Sequence, residues 1–213
     1  MGIGRVAISV GPPARRFGAV RLVLDVAIVA GLIGLFSITF VIRTFYIPSV
    51  SMVPTLQVGD VLLVDEIAYR FRSPGEGDVA VFTPPLGSGG SDFVKRVIGT
   101  PGDKVAVANG VVYRNGVPLR EPYENQPPAY DLAIRQYGIY VNGERLDPRT
   151  ANVPARALWQ APDRVPSGFY FVLGDNRNYS DDSHVLGFIP RASFVGRAFL
   201  ILWPLDRLRA LEK

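Results

Sequence analysis

Three of the 23 basic residues in this 213-residue chain are Lys, namely Lys95, Lys104 and Lys213. One of them stands inside the dense stretch Asp92-Phe-Val-Lys-Arg-Val-Ile-Gly-Thr-Pro-Gly-Asp103. A guanidinium keeps its proton inside a protein, whereas a desolvated ammonium can release one. In a chain that writes Arg almost everywhere, Lys95 is therefore a candidate base. Alternation along a strand puts Phe93, Lys95 and Val97 on one face. Apolar neighbours of that kind strip hydration from an amine and lower its pKa. Useful basicity near neutral pH needs a fall from about 10.4 toward 7–8, or roughly 3–4 kcal/mol of differential interaction. The competing reading is a Lys whose stem packs while its amine reaches solvent.

A base needs a nucleophile, and the chain has no Cys. Two hydroxyls, Ser49 and Ser51, stand in Ile47-Pro-Ser-Val-Ser-Met-Val-Pro-Thr-Leu56. Pro48 and Pro54 stiffen this segment by fixing φ, which suits a preorganised site; a plain linker is the alternative. A third polar cluster is Gly174-Asp-Asn-Arg-Asn-Tyr-Ser-Asp-Asp-Ser-His184. Asn, Asp and Ser at this density form rigid loops through side chain–backbone hydrogen bonds. It lacks the EF-hand spacing that ends in Glu. With one His and no Cys, multi-His and Cys-ligated metal sites are excluded, and no metal or cofactor is expected. His184 beside Asp181 and Asp182 invites a Ser-His-Asp reading. Such closeness in sequence fits an ion pair or a loop residue better.

The elements that position these groups divide at residue 43. Residues 1–21 carry Arg5, Arg15, Arg16 and Arg21 and no acid. Leu22 to Ile42 is apolar except for Asp25, Ser37 and Thr39. As a helix this run spans about 32 Å, against a hydrocarbon core of about 30 Å. It is longer than the apolar core of a cleaved signal peptide and shows no polar face, so a transmembrane anchor is expected. The mean hydropathy of +0.19 agrees. The heavier positive flank places residues 1–21 in the cytoplasm and everything after Arg43 outside. Ser51 is eight residues past Arg43 and so at most about 28 Å from it, within reach of substrates at the bilayer surface. The net charge of +4 comes without a basic run interleaved with aromatics, so nucleic acid is not an expected partner.

After the anchor, short β-branched and aromatic runs alternate with Gly/Pro turns. Val61–Val64, Val79–Phe82, Phe93–Ile98, Lys104–Val107, Gly168–Leu173 and Ala198–Leu202 read as strands. The expected fold is mainly β, a barrel or folded sheet. Val112–Leu119 and Ile139–Leu146 echo each other, each with Asn-Gly between strand-like flanks, the favoured two-residue hairpin turn. The polar, Pro-rich stretch from Glu121 to Arg164 reads as an insertion outside the core. The expected organisation is a tail (1–21), a transmembrane helix (22–42), a catalytic β domain (43–103 with 168–213) and a hairpin-rich annex (104–167).

Four motifs in order resemble those of bacterial type I signal peptidases, membrane-bound serine endopeptidases that remove signal peptides. They are Ser49-x-Ser51-Met52-x-Pro54-Thr55-Leu56, Gly77-Asp78-Val79-x-Val81-Phe82, Lys95-Arg96-x-x-Gly99-x-Pro101-Gly102-Asp103, and Gly174-Asp175-Asn176-Arg177-x-x-Ser180-x-Asp182-Ser183. The likeness spans roughly residues 22–202. It implies Ser51 as nucleophile, Lys95 as general base, and an oxyanion hole from the Ser49 hydroxyl and the Ser51 N–H. Ser180 is implied to orient the amine, with Asp182 in a supporting network. Phe45, Ile47, Pro48, Met52, Leu56, Phe93 and Val94 are implied to line shallow pockets for small side chains at positions −1 and −3. The implied partners are signal-peptide-bearing preproteins bound as an extended strand, the lipid bilayer and the protein export machinery. The implied location is the bacterial plasma membrane, with a thylakoid membrane as the alternative. A self-cleaving Ser-Lys relative and a silent, membrane-tethered peptide-binding module are the competing functions. One departure stands out: where the family's last motif usually has Arg, this chain has His184. If Asp182 needs a permanent cation, activity becomes pH-sensitive, because His titrates where Arg does not.

Overall fold

The computed structural model describes residues 16–85 and 91–212. The chain divides into two compact units, residues 1–40 and 41–213. The first holds all but the last residue of helix α1 (Arg16–Val41), 26 residues long, with Arg21 and Asp25 paired one turn apart at 4.0 Å. Among the described residues no helix is long and apolar enough to cross a membrane. The anchor expected at 22–42 falls partly on positions 33 and 35–41, whose side chains lie outside the described ones, and most of the tail lies outside them too. Ile42 is not helical; it opens the first strand.

The second unit is mainly β. Its larger sheet contains β1 (Ile42–Tyr46), β2 (Val61–Asp65), β3 (Val79–Phe82) and β4 (Phe93–Gly99), with the four-residue helix α2 (Ala68–Phe71) after β2. A second sheet follows: β5 (Val105–Ala108), β6 (Val111–Arg114), β7 (Val117–Pro118), β8 (Leu132–Arg135), β9 (Gly138–Val141) and β10 (Glu144–Arg145). The chain then passes through α3 (Ala155–Leu158), β11 (Phe169–Leu173), α4 (Ser183–Leu186), β12 (Ile189–Pro190), β13 (Phe194–Trp203) and β14 (Arg209–Ala210). The larger sheet runs β1-β2-β13-β3-β4-β11-β12 with β14 on β13, and the smaller runs β10-β9-β8-β5-β6-β7, all pairs antiparallel. Register shifts in β13 and β11 mark bulges, the device by which a sheet bends and curls.

Both echoed hairpins form, with Asn115-Gly116 joining β6 to β7 and Asn142-Gly143 joining β9 to β10, all four residues at positive φ. That is the type I′ geometry whose twist matches the strands. Gln136-Tyr137, between β8 and β9, adopts the same left-handed geometry without an Asn or Gly. The stretch from Glu121 to Arg164 is not peripheral, contrary to its polar composition. Leu132, Ile134, Ile139, Ala151, Val153 and Leu158 form one buried cluster with Ile98, Phe171 and Leu173 of the larger sheet and with Phe188, just before β12. Most of the aliphatic residues of that stretch face inward, and this cluster is shared by both sheets.

Because that core is shared, truncating Ile139 should cost the whole second unit about 2–5 kcal/mol. Urea denaturation of the full chain in detergent, followed by tryptophan fluorescence, should show one shifted transition. Two separate transitions would mean that the smaller sheet is an independent module.

Candidate active site

Between β1 and β2 the chain makes a loop, residues 47–60. Its ends are tied by Ile47 N–H to Asp60 carbonyl and Gly59 N–H to Ile47 carbonyl bonds, both 2.9 Å. The Asp60 carboxylate accepts the Gln57 N–H at 2.8 Å and both arms of Arg207 at 2.8 and 2.9 Å. Met52 and Leu56 drop into the core beneath, beside Ile47, Val64 and Val81. The loop is thus fixed from below by apolar burial and at its base by a carboxylate. Ser51 sits on it, 6% exposed.

Facing it is Lys95, 3% exposed, on β4 in the middle of the sheet between β3 and β11. Lys95 Nζ lies 2.8 Å from Ser51 Oγ and donates to the Val94 carbonyl at 3.2 Å. The Phe93 ring covers the amine, its centroid 5.2 Å from Nζ. Burial brings the amine down to about 8, against the pull of Asp182, Asp181 and Asp175. The face expected from strand alternation is the face observed. Ser49 Oγ is 3.2 Å from Ser51 Oγ. Among the described residues the Ser51 N–H donates to no protein acceptor, so it is available to an incoming oxygen.

The loop after β11 braces this pair. Asn176 donates from its N–H to the Ser51 carbonyl and from Nδ2 to the Val50 carbonyl, both at 3.1 Å. Asp175 accepts both arms of the buried Arg96 at 2.8 Å and the Thr55 hydroxyl at 2.5 Å. One carboxylate therefore links the base strand to the nucleophile loop. Arg177 donates to the Gly174 carbonyl at 3.0 Å and makes a two-armed pair with Glu121 at 2.7 Å. Asp182 caps α4: its Oδ1 accepts the His184 N–H at 3.1 Å and faces the His184 ring Nδ1 at 2.8 Å, while its Oδ2 accepts the Gly174 N–H at 2.8 Å. Asp182 thus pairs with His184.

Two expected roles need correction. Ser180 Oγ is buried without a hydrogen-bond partner, and its bond to the Lys95 amine is not formed. It is packed against Gly174 instead, where a Cβ would lie 2.2 Å from Ser180 Oγ and 2.4 Å from the Ser51 carbonyl oxygen. Leu56 is 0% exposed and supports the loop from the core, so it does not line the cleft. The cleft, about 250 Å³, is lined by Phe45, Ile47, Pro48, Met52, Phe93 and Val94 as expected from the resemblance, with Ser49, Ser51 and Lys95. Tyr46, Val50, Ser91, Asp92, Tyr179 and Asp181 complete it. No periodicity marks these loop residues. Among the described residues no group of acids and His is placed to hold a metal.

A serine hydroxyl against a buried amine, at the foot of an open cleft on a curled β sheet, has the makings of a serine hydrolase. Residues 19–203 match the family model "Signal peptidase, peptidase S26". The chain is similar to a probable signal peptidase I-2 of Synechocystis sp., 42% identical over 177 residues that cover 81% of this chain and 68% of the relative. It is similar also to signal peptidase IB of Staphylococcus aureus, 36% identical over 172 residues, 80% of this chain and 82% of the relative. A crystal structure of a signal peptidase I from Enterococcus faecalis V583 aligns with 59% of this chain and 97% of its own, at 32% identity and a TM-score of 0.41. The chain belongs to the S26 signal peptidase family, and it is a serine endopeptidase of the signal peptidase I type.

Gly174 holds the closest approach in this site. Gly174→Ala should push Ser180 and the Ser51 carbonyl apart, and a shift on the order of 1 Å at the nucleophile costs about 10²-fold in rate. A steady-state comparison of kcat in variant and parent, with Tm as the control for folding, checks this.

Proposed function

We propose that the protein cleaves signal peptides from exported preproteins after a small-x-small site, with Ser51 as nucleophile and Lys95 as its general base. The observation that carries this reading is the 2.8 Å approach of Ser51 Oγ and Lys95 Nζ, with both residues buried. Neutral Lys95 takes the Ser51 proton as Ser51 attacks the scissile carbonyl. The developing oxyanion is met by the Ser51 N–H and the Ser49 hydroxyl. Lys95 then delivers its proton to the leaving amine, and water activated by Lys95 hydrolyses the acyl-enzyme. A neutral amine has two N–H groups and one lone pair. The lone pair meets Ser51, one N–H goes to Val94, and one is left over.

Substrate geometry follows from the sheet. β1 is an end strand, bonded to β2 on one side, and no described strand bonds its other side. Its end runs directly into the loop that carries Ser49 and Ser51. An extended peptide added along that edge would lay alternate side chains toward the apolar wall of Phe45, Ile47, Phe93 and Val94. At about 250 Å³ the cleft is smaller than an ordinary ligand pocket, which suits small side chains at positions −1 and −3. The apolar run 22–42 would anchor the enzyme in a bacterial plasma or thylakoid membrane, with its N-terminus cytoplasmic and Ser51 on the opposite side.

Cleavage of a preprotein with a small-x-small site, in detergent, tests the assignment. Ser51→Ala, Lys95→Ala and Lys95→Arg should each abolish it, the last because a guanidinium retains its proton; full activity in any one of them sinks the dyad. Ser49→Ala should lower kcat by about 10²–10³ and spare KM.

The pH dependence has a definite sign. Only the neutral amine can accept the Ser51 proton, so kcat/KM should rise with pH through a midpoint near the Lys95 value of about 8. A profile that falls across the same range would contradict a neutral-Lys mechanism.

A further inference from the structure

After β13 the chain turns through Pro204 and the 3₁₀ turn Leu205–Arg207, and the two residues of β14 pair back on β13. Leu200 faces Ala210 and Ile201 faces Arg209, and the Leu211 N–H donates to the Phe199 carbonyl at 2.9 Å. So short a pairing is a weak hold on a segment. The other contacts of this segment lead to the active site. Arg209 Nη2 donates to the Thr55 carbonyl at 2.8 Å. Arg207 reaches the same carbonyl at 3.4 Å and gives its shorter bonds to Asp60, at the base of the loop. Leu211 is buried in the cluster that holds Ile47, Met52 and Leu56. Arg96, next to Lys95 on β4, donates from Nη1 to the Glu212 carbonyl at 3.2 Å. One short segment therefore touches both the loop that carries Ser51 and the strand that carries Lys95.

We propose that residues 207–212 form a clasp that positions the nucleophile, with Arg209 acting on Ser51 through Thr55. Arg209 touches no reacting atom, so it is a positioning residue. The inference rests on Ser51 being the nucleophile.

Thr55 is the point at which the clasp acts. It lies four residues past Ser51, and the chain between them is tightly turned. Val53 N–H bonds the Val50 carbonyl at 3.1 Å, and Leu56 N–H bonds the Met52 carbonyl at 2.8 Å. A displacement of Thr55 is therefore passed along to Ser51 and not absorbed by slack chain. The Thr55 hydroxyl is tied to Asp175 at 2.5 Å. One tie leaves the residue free to swing about it, and the Arg209 bond fixes a second point. No described backbone N–H bonds the Thr55 carbonyl. Without Arg209 that carbonyl keeps only Arg207, at a distance beyond the ordinary range for an N–H···O bond.

The clasp sits apart from the substrate. β14 pairs with β13 and not with β1, the edge proposed for the peptide. Arg209 is also exposed, and exposed side chains contribute little to global stability. Its loss should therefore move the nucleophile without unfolding the protein or weakening substrate binding. The contact is a single bond, so it needs a donor and not a fork. Lys at this position keeps a donor, whereas Met keeps a long stem and has none.

The test compares full-length wild type with Arg209→Met, Arg209→Ala and Arg209→Lys, reading kcat, KM and Tm for preprotein cleavage in detergent. Arg209→Met and Arg209→Ala should each lower kcat by about tenfold to a hundredfold, with KM within about twofold of wild type and Tm unchanged. Arg209→Lys should recover most of the lost kcat. Wild-type kcat in either donor-free variant, once folded, overturns the inference. So does a loss confined to KM, or one that Arg209→Lys does not relieve. Ser51→Ala, assayed alongside, keeps the two readings apart. Activity in that variant sinks the nucleophile, whereas an inactive Ser51→Ala beside a fully active Arg209→Met sinks the clasp alone.

Discussion

The desolvation of one amine is the constraint on which the rest of the site depends. A Lys in water is protonated and useless as a base, so Lys95 must be largely shielded from bulk water. The fold does this by placing Lys95 on a central strand, with β3 and β11 on its flanks, Phe93 over its amine and the 47–60 loop across its end. That loop has backbone groups of its own to satisfy, and a buried loop with unpaired carbonyls would cost more than the burial gains. Asn176 answers the carbonyls of Val50 and Ser51, and Asp60 answers Gln57. The dense Asn and Asp content of residues 174–184 is therefore the counterpart of the apolar loop floor formed by Met52 and Leu56.

Buried charge is held in matched pairs. Arg96 is matched by Asp175, Arg177 by Glu121, and Arg207 by Asp60, each pair with two arms. Pairs of this kind add little net stability against apolar replacements. Their planar forks do fix distances. Asp175 in particular ties Arg96, next to the base, to Thr55 on the nucleophile loop, so the two reacting atoms are held by a common frame.

Local chemistry made much of this legible in the sequence. Lys95 stood out because the chain writes Arg almost everywhere else, and its face followed from strand period. Val79–Phe82 formed as expected, and the Asn-Gly dipeptides placed two hairpins. What stayed hidden is nonlocal. Glu121 meets Arg177 and Asp60 meets Arg207 across long stretches of chain, and no spacing announces such pairs. The inward apolar residues of 121–164 are scattered singly, so a stretch that joins the core looked peripheral. Gln136-Tyr137 takes a turn geometry that its residue types disfavour, a case of tertiary packing overriding local preference. Leu56 and Ser180 were assigned by resemblance alone, and neither occupies the role implied: one is buried under the loop, the other is pressed toward Gly174.

The cations of the site sort by whether their proton must move. Arg96 follows Lys95 directly, and alternation sends the two to opposite faces of β4. The guanidinium goes to a carboxylate whose geometry must never change, the amine to a hydroxyl whose proton must leave. Arg177 and Arg207 likewise hold structure with charges that no physiological pH removes. His184 stands where a structural cation would have sufficed to hold Asp182, which is already pinned by two backbone N–H groups. The imidazole ring adds a third contact to that carboxylate, Nδ1 to Oδ1 at 2.8 Å.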